Sequence, residues 1–315
     1  MKNNKLESTW EIFCDILPKY AVKRDDFIVL PTESIKKTAL LKNLPKDKVF
    51  APIVGEFNLV NNAAGLALAG KRPWIISDTF SSFLWTYKQI RDALTIAPFP
   101  VTLVIINGGL SGGDEGVSHN ILQDVALMRL LSNMNVFVPS DKDTLVSVVE
   151  SCISSPFPSF LRLSNEKYTI LEDTLIEPSN SSGARIIKPG TDVTIFTCGT
   201  MVSEALEAVD TLEKQGISIE IIDCYSIKPF PEQQLLSSVR KTGCCVVAEE
   251  HNLVGGLCSA VSECLCRTYP IPVRFVAVDD QYVNSGHPEE LREYYGLTWK
   301  EIVNAASQVW ALRRR

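Results

Sequence analysis

Strand-length apolar runs alternating with segments of helical period constrain this chain more than anything else in it. The runs Phe27–Leu30, Val49–Pro52, Trp74–Ser77, Val101–Asn107, Val136–Val138 and Phe160–Leu163 are short and mostly apolar. Between the last two, Leu145, Val148, Val149, Cys152 and Ile153 recur at i, i+3, i+4, i+7 and i+8, which is one face of a helix. Apolar strands separated by helices predict a mostly parallel sheet covered on both faces. Residues 166–189 break the rhythm with Pro178, Ser179, Asn180, Ser181, Ser182, Gly183 and Pro189, a linker composition. A second series follows, with strands at Val193–Cys198, Ile217–Asp223, Cys244–Ala248 and Val273–Val278. Its helices run through Val202 to Leu212, Leu257 to Leu265 and Ile302 to Trp310. The expected fold class is α/β, two consecutive domains at residues 1–165 and 190–315 joined by 166–189. With 315 residues, each half is long enough to bury its own core.

Charge and cysteine usage narrow the function. A net charge of -6 argues against nucleic-acid binding, which needs clustered Lys and Arg. The short clusters Lys36-Lys37 and Arg313-Arg314-Arg315 read as solvated surface. No run approaches the ~18 apolar residues of a membrane span. The opening MKNNKLESTW has no apolar stretch after its lysines, so no signal peptide is expected. The nine cysteines include no Cys-x-x-Cys pair, and most sit in apolar elements. Buried reduced thiols and a cytoplasmic location are expected. Cys264 and Cys266 would point about 200° apart on a helix, so they form no metal site together.

Two segments carry candidate chemistry. Val54-Gly55-Glu56-Phe57-Asn58-Leu59-Val60 places a carboxylate where a helix rich in small residues begins. Taken alone, such a Glu complements the helix dipole. The run Gly108-Gly109-Leu110-Ser111-Gly112-Gly113 follows the strand Val101–Asn107, where ligand loops of open α/β sheets lie. Its continuation, Asp114-Glu115-Gly116-Val117-Ser118-His119, ends in one of only three histidines. The others are His251, in Glu249-Glu250-His251-Asn252, and His287, in Ser285-Gly286-His287-Pro288. Their spacing fits no compact zinc site, and no metal is expected to be held by this chain.

Together these motifs resemble the second half of a transketolase, its pyrimidine-binding and C-terminal domains, over residues 8 to 311. The resemblance implies that Glu56 bonds the aminopyrimidine ring of thiamine diphosphate. There it would favour the imino tautomer whose exocyclic nitrogen serves as base. The apolar stretch around Glu56 suggests a raised pKa. The segment from Asp78 to Tyr87 resembles the family's pyrimidine-packing aromatics, which assigns Phe80, Phe83 and Tyr87 to the cofactor. Glu115 and His119 match the loop residues that contact sugar hydroxyls, and His119 is the second catalytic candidate. His251 is expected to organise the Gly-rich turn behind it, and His287 to be a surface residue.

The resemblance also implies what another chain must supply. Nothing here matches the diphosphate-binding domain, whose Gly-Asp-Gly … Asn segment ligates the metal through oxygen. A partner of roughly 270–300 residues, carrying that domain and its Mg²⁺ or Ca²⁺, is therefore expected. Family resemblance suggests an α2β2 assembly. Three positions depart from the family's phosphate-holding residues: Thr9, Lys37 and Asn165. Thr and Asn cannot reproduce a bidentate Arg fork, though Lys36 or Lys37 could supply a point charge. The departures favour a specialised two-carbon ketol transferase over a housekeeping pentose-phosphate enzyme. The rival readings are a 2-oxo-acid dehydrogenase beta subunit and a non-catalytic scaffold.

Overall fold

A computed structural model of the chain describes residues 6–51, 55–169 and 183–313. The first half runs β1 (Leu6–Glu7), α1 (Thr9–Ala21), β2 (Phe27–Pro31), α2 (Ala39–Asn43), α3 (Glu56–Leu68), β3 (Arg72–Ser77), α4 (Ser81–Trp85), α5 (Tyr87–Gln89), β4 (Thr102–Ile105), α6 (Asp124–Leu130), β5 (Asn135–Phe137), α7 (Lys142–Ser154), β6 (Ser159–Arg162) and β7 (Tyr168–Thr169). The second half runs β8 (Arg185–Lys188), β9 (Val193–Thr197), α8 (Met201–Lys214), β10 (Ile219–Asp223), β11 (Ser226–Lys228), α9 (Glu232–Thr242), β12 (Cys245–Asn252), α10 (Leu257–Thr268), β13 (Val273–Val278), α11 (Pro288–Tyr294) and α12 (Trp299–Ala311). No helix among the described residues is long and apolar enough to cross a membrane.

The first sheet has the order β11-β5-β6-β4-β3-β2 and is parallel except at β11. The second has the order β13-β12-β9-β10-β8 and is parallel except at β8. The central strand β4 is buried throughout, as a sheet covered on both faces requires. On one face of the first sheet Phe13, Leu17, Trp74 and Leu145 share a core. On the outer face of the second sheet Ile195, Leu212 and Val309 share another. The third core cluster is common to both halves, running from Leu59 and Phe80 through Met128 to Cys198 and Leu257. Reciprocal capping boxes start α1, from Ser8 and Glu11, and α7, from Asp141 and Thr144.

The folded chain departs from several expectations. Val49–Pro52 is not a strand: Val49 makes one isolated bridge to Val29 after a 3₁₀ turn at Lys46–Lys48, and Pro52 lies outside the described residues. The linker is trimmed at both ends, because β7 pairs with β1 and β8 pairs with β10. Residues 170–182, which carry Pro178 to Ser182, are outside the described residues. The halves also exchange structure, since β11 follows the linker in sequence yet extends the first sheet beside β5.

A buried ion cluster holds this junction. Arg185 of β8, 1% exposed, reaches Asp141 at the N-cap of α7 at 2.5 Å and Asp223 of β10 at 3.2 Å. Burial, more than the neighbouring charges, pushes the Asp223 carboxyl up to about 6. Removing the guanidinium would strand two carboxylates away from water. Arg185→Met is therefore expected to destabilise the chain by about 3–5 kcal/mol in urea denaturation. A loss below about 1 kcal/mol would show that the pair can be solvated in place.

Candidate active site

Gly108 after β4, Arg162 and Ser164 at the end of β6, Thr200 after β9 and Glu250 of β12 line a small crevice between the halves, where open α/β folds bind ligands. Glu56 begins α3 one residue after its N-cap, Gly55. Its side chain is exposed, and among the described residues it makes no hydrogen bond or ion pair. The apolar sequence around Glu56 does not bury it, because no described part of the chain covers the carboxylate. Val54, in the same motif, lies outside the described residues.

Several side chains of α3 and α4 are open to solvent as well. Phe57, Asn61 and Leu68 lie within about 40° of one another around α3 at 100° per residue, and all three are exposed. Leu84 and Trp85 of α4, which packs on α3, are exposed as well. Leu68 is 76% and Trp85 77% exposed. Large apolar side chains this exposed on two packed helices are candidates for an interaction surface.

Phe80 and Phe83 are each 1% exposed. Phe80 packs edge-on to Phe83 at 6.1 Å and to Phe160 at 5.6 Å. Both rings are therefore part of the core under α3 and α4, and neither presents an open face in the single chain. Tyr87 is partly buried, and its hydroxyl donates to the Leu127 carbonyl at 2.9 Å, tying α5 to α6. That bond gives Tyr87 a bracing role, whatever else it contacts.

The glycine-rich loop brings Glu115 and His119 together. Successive turns, Glu115 N–H to Gly112 O at 2.9 Å and His119 N–H to Gly116 O at 2.9 Å, fold it back on itself. Gly116 takes φ +83°, which residues with a Cβ rarely adopt. His119 Nε2 lies 3.3 Å from Glu115 Oε2, and Ser118 Oγ lies 3.1 Å from Nδ1. The imidazole is thus oriented on both nitrogens while remaining about one-third exposed, at 35%. Such a group can accept or donate a proton at a ligand hydroxyl.

His251 is different. It is fully buried; its Nδ1 lies 2.6 Å from the Asn252 carbonyl, and its Nε2 accepts from Ala126 N–H at 3.4 Å. Burial, reinforced by the Arg162 charge, pushes its pKa down to about 3. It braces α6 rather than the Gly-rich turn alone. A folded pKa below the unfolded one means stability that is complete above pH ~6.5 and lost as pH falls towards 3. The advantage of the native chain over His251→Asn in urea is expected to shrink by about 2 kcal/mol between roughly pH 8 and pH 5. A constant advantage would contradict the buried neutral imidazole. His287 is exposed, at the N-cap position of α11.

Of the departures from the phosphate pattern, Thr9 lines this crevice. Thr9 is buried and its Oγ1 is bonded to Ser164, so it is structural. Asn165 is exposed, Lys36 is paired with Glu33 at 2.5 Å, and the Lys37 side chain lies outside the described part. Sequence reasoning passes over three further groups. Arg162 of β6 pairs with Asp124 at 3.0 Å, both buried. Arg292 of α11 is bonded to Glu166. Asn107, at the end of β4, has a buried Oδ1 without a hydrogen-bond partner. Asn107 does carry a signal, since it is a polar residue closing an apolar strand just before the loop.

The exposed Glu56 carboxylate and the buried Asn107 amide oxygen are each acceptors without a hydrogen-bond partner among the described residues, open to a donor from a ligand. Among the described residues no group of three or more His, Cys, Asp or Glu side chains is placed to hold a metal ion.

This geometry defines a two-domain α/β protein with an exposed carboxylate at the start of α3 and exposed apolar side chains on α3 and α4. The family model for the transketolase pyrimidine-binding domain matches residues 17–170, and that for the transketolase C-terminal domain matches 182–302. The chain belongs to the transketolase family. It is 33% identical to a 6-deoxy-6-sulfo-D-fructose transketolase subunit, SqwH, of Clostridium sp. (strain MSTE9), across 97% of this chain and 96% of that one. It is 28% identical to an apulose-4-phosphate transketolase subunit of Phocaeicola vulgatus, across 97% and 98%. A 1-deoxy-D-xylulose-5-phosphate synthase of Heliobacterium modesticaldum is 30% identical across 95% of this chain, but only 46% of its own length is covered. A split-gene transketolase solved as an inactive β4 tetramer superposes with TM-score 0.85 at 32% identity, covering 98% of this chain and 99% of that one.

Proposed function

We propose that this chain is the C-terminal-half subunit of a thiamine-diphosphate-dependent, transketolase-like transferase. It would move a two-carbon ketol unit from a ketose donor to an aldose or aldehyde acceptor. The observation that carries this reading is the Glu56 carboxylate, exposed and without a partner among the described residues at the start of α3, a helix that also exposes apolar side chains. A functional acid left open in this way has its surroundings completed by another chain. Relatives that are themselves separate subunits of matching length support this.

In the assembled enzyme Glu56 bonds the pyrimidine ring nitrogen and holds a shared proton there. Phe80 and Phe83 support the wall of that pocket from the core, with Tyr87 bracing α5 behind them. Thiamine diphosphate, when bound, supplies a ring carbon that serves as nucleophile towards the donor's carbonyl. His119, oriented by Glu115 and Ser118, orients a substrate hydroxyl and exchanges a proton with it. The partner carries the diphosphate-binding domain and its Mg²⁺ or Ca²⁺, and the complex is α2β2. Without that partner, copies of this chain associate with one another and are inactive, a reading supported by the split-gene neighbour, itself an inactive β4 tetramer.

The absence of an Arg fork at Thr9, Lys37 and Asn165 favours a specialised substrate over pentose phosphates. Two relatives named for an unusual sugar sulfonate and an unusual sugar phosphate support the same lean. The reconstituted complex is expected to turn over xylulose 5-phosphate with ribose 5-phosphate poorly. Robust turnover of that pair would overturn the specialised reading. Efficient decarboxylation of a 2-oxo acid to an acyl product would overturn the ketol-transfer reading.

A further inference from the structure

Four consecutive polar residues at the end of β12, Glu249 to Asn252, are buried, and the chemistry proposed above uses none of them. Glu249 stays within its own half, where its two carboxylate oxygens accept the Leu257 and Cys258 N–H groups at 2.7 Å and cap α10. The next three reach across the junction. Glu250 Oε1 accepts the Leu110 N–H at 2.5 Å, and its Oε2 accepts the Thr200 hydroxyl. The Glu250 carbonyl accepts Arg162 Nη2 at 2.8 Å. His251 receives the Ala126 N–H of α6. The Asn252 N–H donates to the Leu122 carbonyl at 2.9 Å.

Leu110 and Leu122 are the two ends of the loop that carries Glu115 and His119. Between them Gly286 N–H donates to Gly113 O at 3.2 Å, and the Asn120 amide lies 3.4 Å from the Asn284 carbonyl. The loop's chain path is thus held from the C-terminal half at its start, middle and end. At its start the fit is close enough to dictate sequence. Gly109 takes φ +69°, and a Cβ there would overlap the Glu250 carboxylate and Arg162. Among the described residues the Glu250 carboxylate is the acceptor that Leu110 N–H finds, so it fixes where the loop leaves β4.

We propose that Glu250 is a positioning residue. Its carboxylate, steered by Thr200, splints the loop so that Glu115 and His119 stand where the substrate is. This rests on the functional reading above for what the loop does, but not for how it is held. A loop released at Leu110 would displace His119 without touching Glu56, so the effect belongs on turnover and not on cofactor affinity.

The test uses the full chain reconstituted with its diphosphate-binding partner. Glu250→Ala is expected to lower kcat by about 100-fold, the cost of an ångström-scale misplacement. Cofactor half-saturation should stay at the native value. Amide hydrogen exchange in residues 108–123 should accelerate roughly 10-fold while other segments keep their rates. Glu250→Gln retains the carbonyl acceptor and is expected to restore both the exchange pattern and most of kcat. Native exchange in the loop of Glu250→Ala, or a uniform rise throughout the chain with no rescue by Glu250→Gln, would overturn the proposal. Should Glu250→Ala fail to fold, Thr200→Val decides: loop exchange must rise, and an unchanged rate refutes the splint. A native complex with a protected loop but no ketol transfer would refute the functional reading and leave the role of Glu250 standing.

Discussion

Glu56→Gln lowers turnover of the reconstituted enzyme by about 10²- to 10⁴-fold, the range of a lost acid–base group. The native carboxylate is exposed and has no partner among the described residues, so the amide breaks nothing inside the chain. It forfeits only a helix-dipole interaction of about 0.3–1 kcal/mol at the start of α3. Circular dichroism, melting temperature and partner affinity should therefore match the native chain. Loss of kcat with an intact fold distinguishes a catalytic subunit from a scaffold, for which Glu56→Gln would change nothing. A variant that lost activity only by unfolding would remove Glu56 from the chemistry altogether.

The second large effect concerns the exposed apolar side chains of α3 and α4. Leu68→Glu and Trp85→Glu place charges on positions that are about three-quarters exposed in the single chain. If these side chains face solvent in the working enzyme, the substitutions improve solubility and do nothing else. If they form the partner interface, each charge must be desolvated opposite apolar surface, at a cost of about 2 kcal/mol or more. That is roughly 30-fold or more in the dissociation constant for each substitution. Analytical ultracentrifugation of the mixed subunits reads this directly. The double variant should remain folded, fail to assemble at micromolar concentration, and show no activity. Undiminished assembly would place the partner elsewhere and leave the exposure of Glu56 unexplained.

The alternation of buried strands and amphipathic helices makes the two α/β halves legible from the sequence. Helices with a strong apolar stripe, such as α7, α8 and α12, lie where periodicity puts them. The parts that are not legible are those whose position depends on distant partners. Strand β11 is only three residues long and is held in place by pairing with β5, far earlier in the chain. β8 reads as linker because its burial depends on Arg185 finding Asp141 and Asp223. The apolar pattern ends β12 at Ala248, because Glu249 to Asn252 look like solvent-facing residues. They are buried because each finds a hydrogen-bond partner, most of them in the other half.

The site divides in the same way. Glu56, Glu115 and His119 are visible as motif residues, and the folded chain brings Glu115 and His119 into contact. The setting of Glu56 is not visible, because an apolar sequence neighbourhood does not imply burial within the same chain. Phe57 and Leu68 are apolar and exposed, which makes them candidates for an interface. Phe80 and Phe83 read as ring-stacking residues, but the core holds both. A hydrophobic pattern cannot separate a pocket wall from the layer behind it.

Thiamine diphosphate titrated calorimetrically into this chain alone, and then into its mixture with the diphosphate-binding subunit, tests the half-site reading most directly. The chain alone should show no saturable binding, and the mixture should show both binding and ketol transfer. Tight binding and full turnover by this chain on its own would contradict the half-site.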